Sequence, residues 1–94
     1  MNNQNLLIVG AGRTGQLLAH KAKAFGMNVI GVKKHICELP NFDEIVTINE
    51  IKRVLPLSDF VVCTIPLTDD TRDLFNRSLF ECMKRTSYFI NISR

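Results

Sequence analysis

No stretch of this chain is long and apolar enough to cross a bilayer. The longest apolar runs, "NLLIVGAG" and "DFVVCTIPL", fall far short of the ~20 residues that a spanning helix needs. The opening residues do not form the charged, apolar, small-residue pattern of an export signal, and together these readings point to the cytoplasm. Cysteine is scarce and odd in number. Cys37, Cys63 and Cys82 are too widely spaced for a CxxC metal or redox site and cannot all pair, which predicts reduced thiols, no metal site, and Cys63 packed inside an apolar strand. The excess of basic residues is small, with 12 Lys and Arg against 9 Asp and Glu. They are scattered rather than gathered into a stripe interleaved with aromatics, which argues against a nucleic-acid partner. Tryptophan is missing, prolines number only three, and neither a repeat nor a low-complexity segment is visible.

What is present is the composition of one folded domain. The 94 residues are 46% hydrophobic and 22% charged, which excludes a disordered chain. A domain of this size buries roughly two-thirds or less of its unfolded surface, so its stability margin is small.

Hydrophobic periodicity divides the chain into strands and helices. "NLLIV" (5 to 9) is a short apolar run stopped by glycine, the pattern of a strand buried on both faces. Residues 14 to 25 place Leu18, Ala22 and Phe25 on one helical face, with His20, Lys21 and Lys23 away from it and Gly26 as the C-terminal stop. "MNVIGV" (27 to 32) reads as a second strand and "EIVTI" (44 to 48) as a weaker third. A short helix over 49 to 55 follows, with Asn49 as its N-cap. "DFVVCTI" (59 to 65) is the fourth strand, ended by Pro66. "TDDT" then opens a helical turn, "SLFE" (78 to 81) matches a capping box with Lys84 and Arg85 near its negative end, and "SYFINIS" is the fifth strand. Strands and helices alternating in this way predict a doubly wound α/β fold, Rossmann-like, with about five parallel strands in order 3-2-1-4-5.

"GAGRTG" (10 to 15) follows the first strand and opens the first helix. In that context each glycine has a task. Gly10 permits the tight turn, Gly12 lets backbone approach a pyrophosphate, and Gly15 lets helix and strand lie close. The helix start near Arg13 and Thr14 would offer its N–H groups to phosphate. An acidic residue to hold the ribose 2′-OH of NAD belongs at the end of the second strand, but Lys33, Lys34 and His35 stand there. Two lysines attract a 2′-phosphate and favour NADP over NAD. They equally suit a solvated basic loop, and the arginine fork common at such sites is missing.

Taken with "FGM" closing the first helix, "SDFVVCTIPLTDDT" and "INISR", the chain resembles the NAD(P)-binding domain of the D-isomer-specific 2-hydroxyacid dehydrogenases over nearly its whole length. The resemblance implies a partial dinucleotide-binding domain over residues 1–94, incomplete at its C-terminus, with the substrate domain absent. It also implies hydride transfer between a nicotinamide cofactor and a 2-hydroxy or 2-oxo acid. Arg13 and Thr14 would cradle the pyrophosphate. Lys33 takes the ribose-reading position where many members have aspartate. Ile65, Pro66 and Thr71 would lie along the ribose side, and Ile92 and Ser93 would border the nicotinamide. Arg94 matches the family's substrate arginine, whose planar charged fork suits a carboxylate. The histidine that serves as general acid and base in the family, and its glutamate, have no counterpart here. His20 and His35 both precede the matching region, and the isolated chain is therefore expected to be inactive. As the edge of the sheet, the fifth strand is expected to drive self-association. A second reading rests on "IVGAGRTG" alone, which is similar to the opening of non-catalytic NAD-binding regulatory domains of potassium transport systems.

Overall fold

The computed structural model describes residues 4–10, 12–33, 39–64 and 81–91. Its elements are β1 (Asn5–Val9), α1 (Arg13–Ala24), β2 (Asn28–Val32), β3 (Glu44–Val46), α2 (Ile51–Val54), β4 (Phe60–Cys63) and β5 (Tyr88–Asn91). The five strands pair in parallel in the order β3-β2-β1-β4-β5, as the alternation of strands and helices predicts.

β1 is central, and Leu6, Leu7, Ile8 and Val9 are all buried. Both alternating sets of side chains are apolar because both faces of the sheet are covered. Leu6 and Ile8 join Val29 and Val62 against Ala19 and Ala22 of α1 and Met27. Leu7 and Val9 turn the other way and, with Val32, Val46 and Val61, meet Ile51 and Val54 of α2 and Leu55. The crossover from β1 to β2 runs toward one edge of the sheet and the crossover from β3 to β4 runs back. Their helices consequently fall on opposite faces, as right-handed connections require.

Helix α1 packs on a narrower strip than its hydrophobic residues suggest. Gly15, Ala19 and Ala22 are its buried positions, and Leu18 is only partly buried. Phe25, expected on the inner face, is instead 62% exposed. The helix ends at Ala24, Phe25 leaves it as the C-cap, and buried Met27 follows the turn. Gly26 does stop the helix, at φ 77°, a conformation that disfavours any residue with a Cβ.

The second half also differs at its element ends. β3 stops at Val46 because Ile48–Glu50 already form a 3-10 turn. The expected helix over 49 to 55 reduces to α2 followed by a second 3-10 turn, Leu55–Leu57. Glu50, not Asn49, is the N-cap of α2, and it makes no side-chain cap. Its carboxylate accepts from Arg53 at 3.2 Å, and Arg53 also reaches Glu44 at 3.0 Å. β4 and β5 each begin one residue later than expected, at Phe60 and Tyr88, and β4 ends before Thr64; residue 65 and residues 92–93 lie outside the described residues. The "TDDT" turn, most of the "SLFE" segment and Pro66 lie outside the described residues, as do Cys37 and His35. Lys84 reaches Asp59 at 2.6 Å. Cys63 is a buried thiol and Cys82 a half-buried one, and no disulfide joins them.

Two aspartates secure the N-terminal edge of the sheet. Asp43 and Asp59 directly precede β3 and β4. Asp43 accepts the Val29 N–H at 2.7 Å and Lys23 Nζ at 2.9 Å. Asp59 accepts the Asn5 N–H at 2.8 Å and Lys84 Nζ at 2.6 Å. Burial pushes the Asp43 carboxyl up, but the Val29 N–H and the Lys23 ammonium outweigh it and hold it below its ordinary value. Lys84, then the Asn5 N–H, hold Asp59 low against a smaller effect of burial.

Candidate functional site

The site is built at the opposite, C-terminal edge, where β1 gives way to α1. Gly10 leaves the strand at φ 96°, in the left-handed region that glycine enters without steric cost. Its N–H donates to the Val32 carbonyl at 3.1 Å, tying the turn to the end of β2. Gly12 is the N-cap of α1, with extended backbone and no side chain to cap the helix. Its carbonyl accepts the Gln16 N–H at 2.8 Å, closing the first helical turn. The N–H groups of a helix's first turn have no acceptor within the helix. No acidic residue stands in that turn, while Arg13 and Thr14 are exposed there. The positive end of the α1 dipole favours an anion there.

The glycines divide into two kinds. A Cβ placed on Gly15 would sit 2.6 Å from the Gly10 carbonyl oxygen and 3.1 Å from Ile8 Cγ2. Helix and strand touch there, so Gly15 is a packing residue. Among the described residues a Cβ on Gly12 would meet nothing within 4 Å. Among the described residues glycine at that position serves neither packing nor a left-handed backbone, and none of them fills the space above it. This open cradle fits the close approach of a pyrophosphate.

Lys33 follows β2 directly, and its N–H donates to the Val46 carbonyl at 2.9 Å. Since Val9 pairs with Val32, Lys33 stands level with Gly10 one strand away. Thr64 stands level with Gly10 on the other side, after β4. Its N–H donates to the Val9 carbonyl at 2.9 Å, and its hydroxyl lies 2.5 Å from the Gly10 carbonyl. Gly10, Gly12, Arg13, Thr14, Gly15 and Lys33 are thus brought together at one edge. Lys34, Ile65, Pro66, Thr71, Ile92, Ser93 and Arg94 lie outside the described residues. Reading the sequence by motif passes over Thr64. The signal available was a polar residue directly ending an apolar run.

A parallel sheet in this order, with α1 and α2 on opposite faces and a glycine turn beside the reversal of strand order, defines a doubly wound nucleotide-binding domain. Comparison with known proteins narrows the class. A family model described as "D-isomer specific 2-hydroxyacid dehydrogenase, NAD binding domain" matches residues 1–94, and the chain belongs to that family. It is 35% identical to D-3-phosphoglycerate dehydrogenase of Methanocaldococcus jannaschii over 97% of this chain and 18% of that protein. Phosphoglycerate dehydrogenase from Lactobacillus plantarum superposes with a TM-score of 0.91 at 41% identity, covering 99% of this chain and 30% of that one. An NADPH-dependent glyoxylate/hydroxypyruvate reductase from Sinorhizobium meliloti, in complex with NADP and sulfate, gives a TM-score of 0.84 at 33% identity, covering 97% of this chain and 30% of that one. The chain therefore spans less than a third of the length of each of these proteins. The family match over residues 1–94 leaves the potassium-transport reading without support. Among the described residues no helix is long and apolar enough to cross a membrane.

Proposed function

We propose that this chain binds a nicotinamide dinucleotide and that the whole protein uses it to interconvert a 2-hydroxy acid and a 2-oxo acid. The observation that carries this reading is that no described residue lies within 4 Å of a Cβ placed on Gly12, at the start of α1 that no side chain caps. In this reading Gly12 and the first turn at Arg13 and Thr14 hold the pyrophosphate, while Gly10 and Gly15 shape the turn around it. Lys33 and Lys34 face the adenosine ribose. Ile65, Pro66 and Thr71 flank the ribose side, Ile92 and Ser93 border the nicotinamide, and Arg94 orients the substrate carboxylate through its planar fork. The bound nicotinamide supplies or accepts the hydride.

The preference we propose is for NADP. A lysine follows β2 where a carboxylate would repel a 2′-phosphate, and an NADP complex is among the similar structures. Titration of the chain with NADPH and separately with NADH, followed by nucleotide fluorescence, tests both parts. The expected result is tighter binding of NADPH and a reversed preference in Lys33→Asp. A folded chain that binds neither nucleotide would refute the reading.

We also propose that the chain as it stands self-associates along β5. That strand pairs only with β4 among the described residues, and Tyr88 and Ile90 are 63% and 44% exposed. A half-buried thiol at Cys82 suits a reducing compartment and favours a cytoplasmic location.

A further inference from the structure

We infer that the Thr64 hydroxyl is a positioning residue for the glycine turn, acting on the dinucleotide through the Gly10 carbonyl. This rests on the dinucleotide reading of the same site. The hydroxyl has one proton and two acceptors within reach, Gly10 O at 2.5 Å and Val9 O at 3.1 Å. The Gly10 oxygen is much the nearer of the two, and the Val9 carbonyl also accepts the Thr64 N–H at 2.9 Å, so the proton goes to Gly10. A threonine at a strand end commonly bonds to a carbonyl near it in sequence. Here the acceptor lies 54 residues away, just past the end of a neighbouring strand, and it belongs to Gly10, held at φ 96°.

The Gly10 peptide groups are thereby held from three sides. Its N–H is bound to Val32 of β2, its carbonyl to Thr64 beyond β4, and the same carbonyl oxygen abuts Gly15, whose Cβ position lies 2.6 Å away. Without the hydroxyl, the carbonyl loses this partner and is held less firmly in its direction relative to the helix start. The N–H groups at that start lose their fixed aim, and the pyrophosphate is the part of the ligand that depends on their aim.

The test compares Thr64→Val, which keeps the branched shape, with Thr64→Ser, which keeps the hydroxyl. Two readouts are taken on the full chain: the NADPH dissociation constant and the amide resonances of Gly10, Gly12 and Gly15. Loss of one net hydrogen bond predicts about fivefold weaker NADPH binding in Thr64→Val. It also predicts moved glycine resonances, with both effects restored in Thr64→Ser. Unchanged resonances in Thr64→Val, or equal losses in the two variants, would overturn the inference. If the wild-type chain binds no NADPH, the dinucleotide reading fails, while the resonances still decide whether the hydroxyl sets the turn. Should Thr64→Val not fold, Thr64→Ala replaces it. Failure of both to unfold cooperatively would assign the hydroxyl to the whole fold and overturn a role confined to the turn.

Discussion

Gly12 and Gly15 stand in the same turn and respond oppositely to the same methyl group. Replacing glycine by alanine inside a helix ordinarily stabilises it by about 1 kcal/mol. At Gly15 the new Cβ would press on the Gly10 carbonyl oxygen at 2.6 Å, a backbone atom with no room to yield. Overpacking of about 1–3 kcal/mol then exceeds the helical gain, and Gly15→Ala should lower stability in urea denaturation. At Gly12 the methyl meets open space, and the change costs the free chain under about 1 kcal/mol as a weaker N-cap. Gly12→Ala should therefore leave the urea midpoint nearly unchanged while weakening NADPH binding roughly tenfold or more, because the methyl occupies the approach path of the pyrophosphate. Equal loss of binding and stability in Gly12→Ala would contradict the assignment. Both glycines were legible in the sequence as members of one motif. Their different tasks were not, since the pattern "GAGRTG" records spacing and carries nothing about what lies above each Cα.

Among the elements, the strand ends hold the clearest pH dependence. Asp43 and Asp59 have depressed carboxyl values in the folded chain. Their contribution is complete above the ordinary aspartate value near 3.8 and is lost as the pH falls through the lower folded values. Asp59→Asn should cost about 1–2 kcal/mol at pH 7, through the charged hydrogen bonds to the Asn5 N–H and Lys84. The gap from wild type should close at an acid pH below the lowered folded value, where the wild-type carboxyl is protonated as well. Urea midpoints at the two pH values check this, and a gap that persists in acid would count against the mechanism. The order of the strands was readable because "NLLIV" and "FVVC" are apolar on both alternating sets, and right-handed crossovers leave few arrangements for such strands. Of the face expected for α1, Ala22 is buried and Leu18 partly so, while the small residues Gly15 and Ala19 leave little trace in hydrophobic periodicity. Close helix-to-sheet approach selects Gly15, Ala19 and Ala22, while Phe25 sits past the last helical residue. Asp43, Asp59 and Thr64 escaped for another reason. Single polar residues at strand ends leave no periodic trace, and their partners lie far away in the chain.

For the molecule as a whole, the two edges of the sheet differ in exposure. The Phe60 and Tyr88 rings stack at 5.5 Å along the β4 and β5 pair, yet Tyr88 and Ile90 keep much of their surface in water. Among the described residues β5 pairs only with β4, and the open edge of a sheet is a template for another strand. Sedimentation velocity over a range of concentrations should show association of the wild-type chain, and Ile90→Lys should shift it to monomer with little loss of stability. A wild-type chain that stays monomeric at all concentrations would refute the proposal.

The 54-residue span between Thr64 and Gly10 also bears on how the chain reaches its fold. Each parallel pair closes only after an intervening crossover, and such non-local topologies fold slowly. The glycine turn cannot mature as a local loop, since its carbonyl partner arrives with β4. A ligand that recognises the finished turn has nothing to hold while the chain is still assembling. NADPH should accordingly slow unfolding and leave the refolding rate unchanged in stopped-flow measurements.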